Sequence, residues 1–126
     1  RDAGLEPRLV ATVNAASREE EGRRAAQRLV ERSDGIDAVF CACDAMALGA
    51  LDALAAADVS VPGEIGVMGF DDLIAGRFSR PPLTSIGPDP AVAGAALIEA
   101  VLGTEEGDNR RRVPVHLIPR ASTARG

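Results

Sequence analysis

A chain of 126 residues is long enough for one domain with a single hydrophobic core, and 46% hydrophobic with 26% charged side chains is ordinary for a globular protein. No apolar stretch approaches the ~18 uncharged residues that a membrane-spanning helix needs, and the opening Arg1-Asp2-Ala3-Gly4 lacks the apolar core of a secretory signal. A net charge of −5, with every basic residue an arginine and no lysine, argues against this chain holding nucleic acid by itself, because phosphate binding needs clustered positive charge.

Leu9-Val10-Ala11-Thr12-Val13 reads as a strand. Ser17-Arg18-Glu19-Glu20 has the capping-box form and predicts a helix to about Arg32, with Ala25, Ala26, Leu29 and Val30 on one face. Ser33-Asp34-Gly35 ends it in a turn. Ile36 to Cys43 is continuously apolar, as in a strand covered on both sides. Asp44 is placed to cap a helix running to about Ala57. After a turn at Val61-Pro62-Gly63, Ile65 to Phe70 forms another buried strand, followed at once by Asp71-Asp72. A loop of about eight residues then leads to Pro81-Pro82-Leu83-Thr84-Ser85-Ile86, read as an extended crossover. Asp89 and Pro90 supply an N-cap and first helical residue for a helix ending near Gly103. Thr104 to Arg112 is a charged loop whose Arg110-Arg111-Arg112 run is expected to be solvated. Val113 to Ile118 is a last strand, and Pro114 suggests an edge position. Alternating strands and helices predict an α/β fold, a three-layer sandwich around a parallel sheet. With no initial Met and a turn almost at once, the chain is expected to begin inside a larger protein.

In such sheets ligands bind beyond the carboxyl ends of the strands. Two predicted strands end there in acids, one at Asp44 and one at Asp71-Asp72. A carboxylate on that rim can accept hydrogen bonds from the hydroxyls of a sugar or polyol, or from an amine. Asp71 is the better ligand candidate; Asp44 reads first as a helix cap and one of the acid pair as a turn former. The same acids could hold a hard cation for phosphoryl transfer. Such a site would normally add a lysine or a glycine-rich phosphate loop, and neither is present. His116 lies in the last strand and reads as a packed or edge residue. No enzyme, metal or cofactor is expected. Cys41 and Cys43 read as two reduced thiols, too close along one strand for a disulfide and too few for zinc. The helices at 45–57 and 91–102 are apolar almost all round. Each must be covered on more than one side, within the domain or by other protein.

Four segments together carry a family resemblance. Ala38 to Leu51 resembles the pattern DAVFAANDxMALGAL, and Val61 to Asp72 resembles VPxDVxVVGFDD. Pro81 to Ile86 is similar to PPLTTV and Arg120-Ala121-Ser122-Thr123 to a terminal RxST. In order and spacing these identify the chain as resembling the lactose/galactose-repressor (LacI/GalR) family of transcriptional regulators. The resemblance implies a two-lobed, periplasmic-binding-protein-like core, of which this chain is most of the C-terminal lobe. Residues from about 89 to 103 would pack with an N-terminal lobe. It implies a cytoplasmic homodimer built through Ala47, Leu48, Leu51 and the stretch Ala75 to Arg80 with Phe78. It also implies a sugar-like effector touched by Asp71, with Asp72 in support, and operator DNA reached only through a headpiece that this chain lacks. Cys43 stands where the family commonly has an effector-binding Asn, and Ser17 where many members have a stacking aromatic. A sugar-binding protein feeding a transporter is the alternative.

Overall fold

The computed structural model describes residues 18–32, 35–102 and 112–124. The strand read at 9–13, the capping Ser17, the turn at 33–34 and the charged loop through 111 lie outside the described residues. No helix among those described is long and apolar enough to cross a membrane.

Helix α1 (Glu19–Arg32) opens with three glutamates, which favour the positive end of the helix dipole. Arg24 pairs with Glu20 and Glu21 one turn back, each at 3.1 Å. Its inner face is small: Ala25 and Ala26 are buried. Helix α2 (Asp44–Ala56) buries Ala47, Gly49, Ala50, Leu51, Ala53 and Leu54 along with Asp44. The two helices touch backbone to backbone. A Cβ on Gly49 would overlap the Glu19 carbonyl oxygen, and one on Gly22 the Met46 carbonyl. Glycine at both crossing points is what lets α1 lie directly on α2.

Strands β1 (Ala38–Phe40), β2 (Gly66–Phe70) and β3 (Thr84–Pro88) run parallel, and β4 (Val115–Ile118) closes one edge antiparallel to β3. The order is β1-β2-β3-β4, with Phe40 beside Met68 and Met68 beside Thr84. Alternation along the strands sorts the side chains. Cys41, Val67 and Leu83 join Leu51 and Leu54 of α2 in the core. Phe40 and Leu117 are on the opposite face and remain 60% and 58% exposed. Helix α2 covers the first face directly and α1 lies over α2.

Several expectations change in detail. Pro81 to Ile86 is not a crossover: from Thr84 it is the third parallel strand, reached because Leu83 N–H donates to the Gly76 carbonyl at 2.7 Å and turns the chain into the sheet. The preceding loop holds a one-turn helix, α3 (Ile74–Phe78), which has no side-chain cap to announce it. The sheet is mixed rather than purely parallel, as is common when an edge strand returns beside its predecessor. Helix α4 (Pro90–Leu102) starts as predicted, with Ala91 and Val92 N–H donating to Asp89 Oδ1 at 2.8 and 3.3 Å. It has no buried residue.

Candidate functional site

The carboxyl ends of β1, β2 and β3 meet at one rim. Cys41 N–H donates to the Met68 carbonyl at 2.8 Å and extends the β1–β2 ladder toward Cys43 and Asp44. Asp71 N–H donates to the Ile86 carbonyl at 2.7 Å and holds the end of β2 against β3. Here the backbone turns sharply, with φ of 109° at Asp71 and 52° at Asp72. Each residue in that region costs about 1–3 kcal/mol and persists only where its surroundings over-determine it. Room for the turn comes from Gly87, where a Cβ would stand 2.8 Å from Asp72 Cβ.

Asp44 was expected to cap its own helix and does not. It is the first residue of α2 after Cys43, and no side-chain cap bond closes that end. Its carboxylate turns inward instead and is fully buried. Oδ1 accepts from the Ser85 hydroxyl at 2.6 Å and Oδ2 from the Leu73 N–H at 2.7 Å. Both oxygens are therefore satisfied, as a buried carboxylate requires. Gly69 makes room for it, since a Cβ there would overlap Asp44 Oδ1.

Asp72 points the other way. Its carboxylate accepts a short hydrogen bond from Arg120 Nη2 and another from Arg77 Nη2 at 3.0 Å. Burial raises the carboxyl pKa, but the hydrogen bonds and charges of Arg120 and Arg77 outweigh it and hold Asp72 below the ordinary aspartate range. Arg120 also donates from Nη1 to the Leu83 carbonyl at 2.7 Å. Next to it, Ser122 donates to the Val67 carbonyl at 2.6 Å and accepts from Thr84 N–H at 2.8 Å. The terminal segment is thus stitched beneath β2 and β3, and its arginine reaches the turn that carries the acids.

With Asp44 and Asp72 held by protein donors, Asp71 is the acid left free. It is exposed, and its carboxylate accepts no hydrogen bond among the described residues. Half-buried Cys43 sits on the same rim at the start of α2. Cys41 is buried beneath α2, and burial first, then the Cys43 and Asp44 charges, push its thiol up to about 11. It stays protonated and inert near neutral pH. Both cysteines are free thiols. The site can present one unpaired carboxylate and one thiol to a ligand beyond the sheet.

Of the residues expected at a subunit interface, Ala47 and Leu51 are core residues, 0% and 5% exposed, so they cannot line a docking surface of this fold. Ala47 is pressed against the sheet, its Cβ 3.2 Å from where a Cβ on Gly69 would stand, and Leu51 belongs to the same core cluster. Leu48 is half-buried, whereas Phe78 is 80% exposed, with Ile74 at 72% on the same short helix. Ser17 lies outside the described residues. Sequence reasoning missed Ser85, Thr84 and Ser122 as buried polar residues, and Arg120 as the partner of Asp72. Hydroxyls inside an apolar strand and an arginine just after one were the available signals.

A family model described as a periplasmic binding protein-like domain matches residues 1–123. The HTH-type transcriptional repressor CytR of Escherichia coli (strain K12) is 34% identical over 108 residues, 82% of this chain and 32% of CytR. The HTH-type transcriptional repressor PurR of Glaesserella parasuis serovar 5 (strain SH0165) is 37% identical over 83 residues, 66% of this chain and 24% of PurR. The crystal structure of a LacI family transcriptional regulator from Arthrobacter sp. FB24, in complex with lactose, is similar with a TM-score of 0.81. Its sequence is 27% identical, over 87% of this chain and 43% of that one. The chain therefore spans less than half the length of each of these relatives.

Proposed function

The chain belongs to the periplasmic binding protein-like domain family, in the form carried by LacI-family regulators, and on that premise we propose that it is the effector-sensing part of a DNA-binding transcriptional repressor. The observation that carries this reading is Asp71, a free carboxylate at the carboxyl rim of the parallel strands. A sugar or a related polyhydroxyl compound is the effector class that suits it, because vicinal hydroxyls can donate in pairs to one carboxylate. Cys43 adds only a weak donor and acceptor, so Asp71 carries most of the polar recognition from this wall.

In this reading the chain is the larger part of a C-terminal lobe, and α4 packs with an N-terminal lobe that supplies the other wall. The regulator is a cytoplasmic homodimer in which Phe78 and Ile74 line the contact between subunits. Effector shifts the balance between two lobe orientations through its different affinity for them, and the spacing of two DNA-reading headpieces changes with it. No catalysis is assigned to the chain in this reading, in which Asp44 and Asp72 serve as structural acceptors. The repressor reading is favoured over a transporter's sugar-binding protein by the regulators to which this chain is similar.

The test is calorimetry on the intact regulator with a panel of mono- and disaccharides. A sugar that binds the parent protein should lose roughly 10- to 100-fold in affinity with Asp71→Asn, the worth of a charge-assisted hydrogen bond. Unchanged affinity for every sugar would remove Asp71 from the effector contact.

A further inference from the structure

Three consecutive backbone N–H groups hold the left-handed turn after β2, and each has its own acceptor. Asp71 N–H goes to the Ile86 carbonyl at 2.7 Å, Asp72 N–H to the Ser85 hydroxyl oxygen at 3.1 Å and Leu73 N–H to Asp44 Oδ2 at 2.7 Å. The two side-chain acceptors are themselves joined, because the Ser85 hydroxyl donates to Asp44 Oδ1 at 2.6 Å. A hydroxyl has one proton, so this contact takes it in preference to the 3.5 Å approach to the Ile86 carbonyl. Ser85 and Asp44 are both fully buried, on β3 and α2, and have no route to a ligand themselves. Their reach is limited to the turn.

We propose that the Ser85 hydroxyl, backed by the Asp44 carboxylate, is a positioning residue that holds the 71–73 turn so that the Asp71 carboxylate stands free at the rim. The Ile86 carbonyl alone fixes one N–H and leaves the next two peptide units able to rotate. With Ser85 and Asp44 in place, Asp72 is also delivered to Arg77 and Arg120, so the two acids of the pair diverge, one inward and one to solvent. The functional meaning of this device rests on the reading of Asp71 as an effector contact.

Residue-resolved amide hydrogen exchange on the protein tests it without a ligand. Ser85→Ala should speed exchange at Asp72 and Leu73 by roughly 5- to 10-fold, the effect of one lost hydrogen bond, while Val67 and Met68 in β2 keep their rates. Ser85→Thr, the residue that the PPLTTV pattern has there, should restore the parent rates. Ser85→Cys keeps the shape, weakens both bonds and gives the same pattern at smaller amplitude should the alanine variant not fold. Unchanged rates at Asp72 and Leu73, or an acceleration spread evenly through β2 and β3, would overturn the proposal, the latter because it marks a general loss of stability. Titration with lactose, the sugar in the Arthrobacter structure, separates the two ideas. An Asp71→Asn variant that binds lactose as the parent does removes the effector reading and with it the function assigned to Ser85, whatever the exchange rates show.

Discussion

Helices α2 and α4 are thirteen residues each and similarly rich in alanine and leucine, yet they end in opposite environments. Helix α2 buries seven residues between α1 and the sheet. Helix α4 buries none, and Leu97, Ile98, Val101 and Leu102 are all more than half exposed. Apolarity on every side says that a helix must be covered, not by what. In α2 the cover comes from within the chain, because Gly22 and Gly49 let α1 lie directly on it. Nothing comparable meets α4 among the described residues, where a Cβ on Gly94 would touch nothing within 4 Å.

The contrast can be broken or sharpened by substitution. The largest effect should come from Leu54→Ala in α2, which empties a fully buried site and should cost about 3–5 kcal/mol in urea unfolding. In this chain by itself, the matching Leu97→Ala in α4 should change stability by less than about 0.5 kcal/mol. A comparable loss in both helices would show that α4 is covered too. Next is Gly49→Ala, which sets a methyl group against helix backbone and should cost about 3 kcal/mol. Cys41, under α2, gives a pH signature. Its thiol titrates near 11 when folded and at 9.0 when free, so stability should be full below pH 9 and fall as pH rises from 9 to 11. The loss should be roughly 2–3 kcal/mol, and Cys41→Ala should abolish the slope. The last effect has the opposite sign. Gly94→Ala should stabilise by about 0.5–1 kcal/mol, since a glycine inside an uncrowded helix only adds disorder to the unfolded chain.

The same contrast marks where sequence reading reaches its limit. Signals carried by neighbouring residues were legible: the Asp89-Pro90 helix start, the buried run ending at Phe70, and the acids standing at a strand's end. Signals carried by distant pairs were not. Asp44 fits an N-cap on local grounds, but its partners Ser85 and Leu73 lie 41 and 29 residues away. Asp72 and Arg120 are separated by 48. Pro81-Pro82 reads as a break, and the strand that starts only two residues later owes its place to neighbours on both sides. Ala47 and Leu51 occupy a helix face that either a second subunit or the chain's own sheet could cover. The close approach of Gly69 to Ala47 decides it, and a glycine inside a strand does not announce its contact.

Effector sensing turns on where Asp71 points when the regulator is occupied. A crystal structure of the intact protein with its effector should place an Asp71 carboxylate oxygen within about 3.2 Å of a ligand hydroxyl or amine, ordinary hydrogen-bond distance. An effector bound elsewhere, with Asp71 still facing solvent, would contradict it.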